Sequence, residues 1–502
     1  MKKHGGIFWI EGAVVYLALV ALWILFQFRT PYLPEVDSYY HIKMAYLMRT
    51  QHWVWHGFPW AQFSLWKDEF SDGCFLFHVI LMPFTFFNDL ALGGKLAIVV
   101  LSSASFTSLF LVLKLNRVRY PYYWLLIALL GGEFFIWRMG VLRPQILSTM
   151  LMMGAVHFLI QKKERSFAVV NFIYALSYVA SFIPLFFAGG VWATAPKAER
   201  KSAARLFVFG LCAQALAFVV HPYFPKNLRF FFVQNIYVMY LAVSQSVNLY
   251  LGGEFFPFDT RQLLLAHFVI IAHLILILSL SWRKGSALSS ESKKVFFFSA
   301  LLWGMTFISK RFTEYAVPIS VLFFALAWRD LLPAFSFQSA YKKSRKVFVW
   351  GSVLWLVIIG PRIFRNTLLS IQDFSHVHAS RFEKAIPIIH QATAPLETVY
   401  TCDWDNAPEL FYFDHSRQYL VMMDPTFMYY WNPEIWKKWF QISNAQISAD
   451  QIVHELSQTF KTRVGVCPQF FMAFKGIVLQ DKRFRLLYED PQVFVFSLGN
   501  AP

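Results

Sequence analysis

Over roughly the first three quarters of the chain, hydrophobic residues come in long unbroken runs with no solvated face marked by helical or strand periodicity. Runs of ~20 apolar residues are the length that crosses a bilayer. The first covers Ile7 to Phe28, and further spans are predicted at about Gly94–Leu113, Pro121–Trp137 and Pro144–Ile160. Later ones fall at Arg205–Val220, Gln262–Leu280, Val295–Ser309, Tyr315–Trp328 and Val347–Gly360. Short basic clusters separate them, among them Lys114–Arg119, Lys162–Arg165, Lys197–Lys201, Lys293–Lys294 and Lys342–Lys346. Cytoplasmic loops are enriched in lysine and arginine, so these clusters belong inside, together with the N-terminus.

That condition bears on two ambiguous stretches. Cys74–Phe87 is apolar over only about fourteen residues against the ~20 of a crossing, and reads as an interfacial or re-entrant helix. Ser166–Trp192 then reads as a tight hairpin of two short spans, broken near Ser177–Pro184, giving about eleven spans. In the rival topology both stretches cross once; the two agree from Lys197 onward.

The same parity collects the polar features outside. Loop 29–93 carries Pro34-Glu-Val-Asp-Ser-Tyr-Tyr-His41, and loop 221–261 carries Gly252-Gly-Glu-Phe-Phe-Pro257. Lys310-Arg-Phe-Thr-Glu314 and everything after about Pro361 face the same way. Tryptophans 53, 55, 60 and 66 of the first loop suit the headgroup layer as anchors. Beyond the last span, strand-like runs at Val399–Trp404, Tyr419–Asp424, Arg463–Cys467, Phe484–Tyr488 and Val493–Ser497 alternate with amphipathic stretches such as Ala449–Phe460. The pattern divides the chain into a helical membrane domain over 1–372 and a small outer α/β domain over 373–502.

Composition agrees: of 502 residues 57% are hydrophobic and 15% charged, more apolar than a soluble domain. The net charge of +17 sits in the loop clusters, so no nucleic-acid partner is expected; the partner surface is a lipid bilayer. Cys402 and Cys467 lie in the outer domain, where they either pair or remain free.

The outer surface gathers acids and arginines. Asp37, with Glu35, Tyr40 and His41 beside it, reads either as a metal-binding or proton-accepting acid at the water boundary or as a helix cap. Arg138, Arg143 and Arg311 suit phosphate, which guanidinium groups grip bidentately; the alternatives are snorkelling for Arg138 and Arg143 and a pair with Glu314 for Arg311. Asp403, Trp404 and Asp405 form a ligand-facing strand end or a helix-capping turn. Glu11 and Glu133 pair locally or snorkel, and His157, His267 and His273 read as hydrogen-bonded core residues. No zincin, Walker, nucleophile-elbow or paired-CxxC pattern occurs.

The order of these parts, from the Asp37-Ser-Tyr-Tyr-His41 loop through Arg138, Glu254 and Arg311 to an outer domain opening with Asp403-Trp-Asp405, resembles the GT-C membrane glycosyltransferases. Within them it is most similar to the oligosaccharyltransferase catalytic subunit and its bacterial relatives. The resemblance implies a polyprenyl-phosphate or polyprenyl-pyrophosphate sugar donor, inversion at the anomeric carbon, and a periplasmic site. It implies catalytic roles for Asp37 and Glu254, donor phosphate on Arg311 with Arg138 and Arg143, and acceptor contact at Asp403–Asp405. It also implies a divalent ion, manganese or magnesium, at Asp37. The second outer loop, Arg138-Met-Gly-Val-Leu-Arg143, lacks the acids such sites use there, which leaves Asp72 or Glu69 as substitutes. The acceptor is unspecified, and a bacterial inner membrane fits best. The rival readings are a transporter or flippase for a lipid-linked glycan, and a non-catalytic subunit of a glycan assembly complex.

Overall fold

The computed structural model describes residues 2–284, 288–331, 358, 360–370 and 381–499. The expected span over 347–360 and the domain boundary near 373 lie largely outside these residues. Among the described residues three helices are long and apolar enough to cross a membrane: Gly6–Gln27, Leu90–Leu115 and Arg200–Val220. A fourth crossing arises if the bent pair Thr260–Ala266 and Phe268–Trp282 counts as one. The chain is a multi-pass membrane protein.

Glu164–Ser177 and Ile183–Thr194 run out and back along Arg200–Val220, joined by a turn at Val179–Phe182. Arg205 pairs with Glu164 at 3.0 Å and Trp192 stacks on Phe207, while Lys162 meets Glu199 at 3.0 Å where the two ends return together. Cys74–Phe87 forms a short helix, Phe75–Leu81, followed by a 3-10 turn, Met82–Phe86.

Two expected continuous spans are broken, and the breaks meet. Pro121–Trp137 divides into Pro121–Leu129 and Glu133–Met139 at Gly131-Gly132. Gln262–Leu280 bends by 76° between Ala266 and Phe268. His267 Nδ1 donates to the Gly131 carbonyl at 2.8 Å, so the second break supplies a donor for a carbonyl at the first. Gly132 has φ +139°, and a Cβ there would lie 2.7 Å from His267 Nδ1, so only glycine fits. Broken helices are tolerated in membranes where protein covers them or a cavity is lined.

Among the described residues the C-terminal part holds a four-stranded sheet, β1 Tyr400–Thr401, β2 Val464–Pro468, β3 Phe484–Glu489 and β4 Val493–Leu498, in the order β1-β2-β4-β3. β1 pairs parallel with β2, and the other pairs are antiparallel. Cys402 and Cys467, just past β1 and within β2, form a disulfide with Cα atoms 5.1 Å apart.

Tyr419–Asp424 is not a fifth strand. Tyr419 is bridged to Ala61 and the preceding Gln418 to Thr398, with Gln62 and Phe63 N–H donating to the Tyr419 and Leu420 carbonyls. The C-terminal part is thus stitched to the loop after the first helix. Trp60 and Trp66 are correspondingly not headgroup anchors: both are buried in the shared core with Phe58, Phe411 and Phe427. Trp53 remains exposed.

Candidate active site

Helix Val36–Thr50 starts where Glu35, in extended conformation, accepts a hydrogen bond from the Asp37 N–H at 3.1 Å. Glu35 is therefore the cap, which leaves the Asp37 side chain free for another partner. That partner is Arg143, at the end of the loop that follows Glu133–Met139. The loop is docked on the helix by the Leu142 N–H, which donates to Ser38 Oγ at 3.0 Å, and by Gln27, which donates to the Gly140 carbonyl at 2.8 Å.

One guanidinium then serves three carboxylates. Arg143 Nη2 lies 2.7 Å from Asp37 Oδ2, Nε donates to Glu35 at 3.0 Å, and Nη1 donates to Glu254 Oε2 at 2.8 Å. A single positive charge cannot neutralise all three. Burial, with Glu35, Asp405 and Glu254 nearby, pushes the Asp37 carboxyl well above its usual range against the pull of Arg143.

Glu254 is the converse case. Arg138 Nη1 and Arg143 Nη1 both reach Oε2, and Arg311 Nε lies 3.4 Å from Oε1. Burial opposes its ionisation, but the three guanidiniums together hold its pKa far below the carboxylate range. Its loop is fixed by Ser309 Oγ, which donates to the Glu254 carbonyl at 2.8 Å, and by the Lys310 N–H, which donates to the Phe256 carbonyl at 3.1 Å.

The arginines do not snorkel. Arg138 is wholly buried, with Nη2 2.8 Å from Glu314. Glu314 therefore belongs to Arg138 and not to its neighbour Arg311, which instead donates to the Tyr178 hydroxyl at 3.3 Å and lies over the Phe255 ring.

Three cavities meet around this network. The largest, about 810 Å³, runs from Glu35, Asp37, Arg143, Glu254 and Asp405 to an apolar wall of Phe134, Leu265, Phe268 and Val269. The two helix breaks shape that wall. A smaller cavity of about 110 Å³ shares Asp37, Arg143 and Glu254, and is lined also by Tyr40, His41, Asp72 and Arg311. A third, of about 460 Å³, lies against the outer domain and shares Trp404 and Asp405 with the largest; Asp403 lines only this one of the three.

Asp403 Oδ1 accepts from the Asp405 N–H at 3.1 Å, which is the capping role, while Trp404 Nε1 donates to the Tyr250 carbonyl at 3.1 Å. Burial, with Asp403 and Glu35 beside it, pushes the Asp405 carboxyl up to about 7.

Asp72 does not join Asp37 in a ligand set. Its Oδ1 accepts from the Cys74 N–H at 2.9 Å, and its Oδ2 lies 2.6 Å from His78 Nδ1. His78 Nε2 in turn lies 2.8 Å from His41 Nδ1. Glu69 pairs with Arg229 at 2.5 Å near the surface. Among the described residues no group of three histidine, cysteine or acidic side chains is placed to hold a metal ion, and Asp37 Oδ2 and both Glu35 carboxylate oxygens face Arg143. The residues present do not fit the expected divalent ion.

Of the remaining singled-out residues, Glu11 pairs with Lys114, and Glu133 accepts from Asn366 at 2.7 Å at the cavity wall. Sequence reasoning missed Tyr178, His78 and the roles of Glu35 and Glu314, which have no local pattern. The Gly131-Gly132 dipeptide was a signal for the helix break that continuous hydropathy concealed.

No protein-family description matches the sequence, and no curated protein matches it. Solved structures do match its fold. The archaeal oligosaccharyltransferase AglB from Archaeoglobus fulgidus, in complex with an inhibitory peptide and a dolichol-phosphate, matches with a TM-score of 0.61 at 12% identity, covering 98% of this chain and 74% of that one. ArnT from Cupriavidus metallidurans bound to undecaprenyl phosphate matches with a TM-score of 0.56 at 12% identity, over 99% of this chain and 98% of the other. Its apo state matches with a TM-score of 0.55 at 10% identity. The chain shares its fold with these two solved proteins, AglB and ArnT.

Proposed function

We propose that this protein is an integral membrane glycosyltransferase that moves a sugar or glycan from a polyprenyl-phosphate or polyprenyl-pyrophosphate donor to an acceptor. The observation that carries this reading is the convergence of Arg138, Arg143 and Arg311 on the single carboxylate of Glu254, beside a cavity that is charged at one end and apolar at the other. Three guanidiniums around one anion make a phosphate-sized positive site. A donor phosphate takes the place of the Glu254 carboxylate there, and the Phe134, Leu265 and Phe268 wall receives the first part of its lipid chain.

Asp37 lies on Nη2 of Arg143 at 2.7 Å, while Nη1 faces the Glu254 oxygen whose place the phosphate takes. The Asp37 carboxylate, which Arg143 favours in the charged form, is placed to take the proton of an acceptor hydroxyl or amide. The acceptor oxygen or nitrogen bonds the sugar's anomeric carbon as the bond from that carbon to the phosphate oxygen breaks, and the electron pair leaves with the phosphate. Attack in line with, and opposite to, the bond to the leaving phosphate inverts the centre. The arginines stabilise the charge that develops on the leaving phosphate. Trp404 and Asp405, shared between the donor cavity and the outer one, contact the acceptor.

The chain crosses the membrane about eleven times, with the site and the C-terminal domain on the periplasmic face of a bacterial inner membrane and the N-terminus inside. The Cys402–Cys467 disulfide supports that side, since disulfides persist in oxidising compartments. The test is donor titration with purified protein in proteoliposomes. Arg311→Gln is expected to raise the donor KM with a smaller change in kcat for a short-chain acceptor; an unchanged KM removes Arg311 from the phosphate site.

A further inference from the structure

We infer that Arg143 supplies the positive charge a divalent cation would bring between the catalytic acid and the donor phosphate, and that transfer by this chain needs no metal ion. The inference rests on the glycosyltransferase reading and concerns how its site is charged.

Three observations carry it. The first is position. A cation serving this chemistry has to touch the acid that handles the acceptor and also the phosphate that leaves. The Arg143 guanidinium already does both: Nη2 is 2.7 Å from Asp37 Oδ2, and Nη1 is 2.8 Å from the Glu254 oxygen that stands where the phosphate is placed. It is held from a third direction by Glu35 at 3.0 Å.

The second is the donor set. Magnesium and manganese need several oxygen ligands close to the ion. Asp72, the other acid in the small cavity, has one oxygen on the Cys74 N–H and the other on His78. No triad of acids, histidines or cysteines assembles among the described residues. An ion placed between Asp37 and Glu254 would also lie against the positive charge of Arg143, which Glu35 holds in place by pairing with Nη2 and Nε.

The third is the sequence itself. The stretch Arg138-Met-Gly-Val-Leu-Arg143, which closes on Glu254 and Asp37, brings two arginines and no acid. It supplies positive charge there and no ligand for a cation. Unlike a bound ion, a guanidinium is neither lost to a chelator nor deprotonated near neutral pH.

The test uses the full-length protein, purified and stripped with EDTA, in two independent arms. Manganese binding is followed by electron paramagnetic resonance of the free ion; the expectation is no saturable site at micromolar manganese. Transfer from a polyprenyl-phosphate-linked sugar is then measured in EDTA and in manganese, with rates expected to agree, and Arg143→Gln is expected to lose about a hundredfold or more in kcat/KM, as loss of a charge-stabilising donor does. Arg143→Lys should recover part of that loss. A stoichiometric manganese site that disappears in Asp37→Asn overturns the inference, as does transfer that stops in EDTA and returns with manganese. If no donor is turned over under any condition, the glycosyltransferase reading fails, and the binding arm still decides whether Asp37 holds a metal. If Arg143→Gln does not fold, the two wild-type arms decide alone.

Discussion

Removing Arg138 alone should destabilise the protein far more than removing Arg138 and Glu314 together. Arg138 is wholly buried and Glu314 nearly so, and the Glu314 carboxylate takes hydrogen bonds from Arg138 Nε at 3.1 Å and Nη2 at 2.8 Å. Glu254, the other partner of Arg138, keeps Arg143 and Arg311 when Arg138 is lost. The orphan in Arg138→Met is therefore Glu314. Breaking a buried pair from one side costs about 3–5 kcal/mol, whereas replacing both partners with apolar residues of similar volume is often neutral or stabilising. Arg138→Met should lose about that much, and Arg138→Met with Glu314→Met should regain most of it. The assay is reversible SDS-driven unfolding in mixed micelles, followed by tryptophan fluorescence as a double-mutant cycle. A double variant as unstable as the sum of the two single variants would refute the reasoning, because it would mean that the side chains contribute by packing and not as a charge pair.

Other expectations follow from single features. An acid whose folded-state pKa is raised favours the fold while protonated, so its contribution is intact below about pH 4. It is lost as pH rises through about 6 for Asp424 and about 7 for Asp405; thermal stability should fall over that interval, and Asp405→Asn should flatten the upper part of the profile. Cys402→Ser is expected to cost about 4 kcal/mol, from the 65-residue separation of the bridged cysteines. Mass spectrometry after maleimide treatment should find both of these cysteines unlabelled until reduction. Gly132→Ala places a Cβ at φ +139° against His267 and should lower the yield of folded protein, measured by fluorescence-detected size exclusion.

How far the sequence was readable depended on the range of the interaction. Hydrophobic run length located most of the helices, and the inner placement of the basic clusters put Asp37, Arg138, Arg143, Glu254 and Arg311 on one surface before any contact was known. The structure brings those five into one ion-paired network. Pairing within it was not legible. Glu314 is three residues from Arg311 and invited a local pair, yet it goes to Arg138, 176 residues away. Trp60 and Trp66 looked like membrane anchors because nothing in their own loop reveals that the outer domain covers them. The helix breaks at Gly132 and His267 escaped a reading by hydropathy, since a bent apolar segment is as apolar as a straight one. Tyr419 has the composition of a strand, but its hydrogen bonds go to the first loop and not to the sheet.

The most direct measurement is sugar transfer from a polyprenyl-phosphate-linked donor by purified wild-type protein and by Asp37→Asn, with donor binding measured alongside. The account predicts product from the wild type and a loss of at least about a hundredfold in the variant at unchanged donor affinity, as for removal of a positioned proton acceptor. Equal transfer by the two proteins would contradict it, as would movement of the donor across the bilayer with no glycosidic bond made.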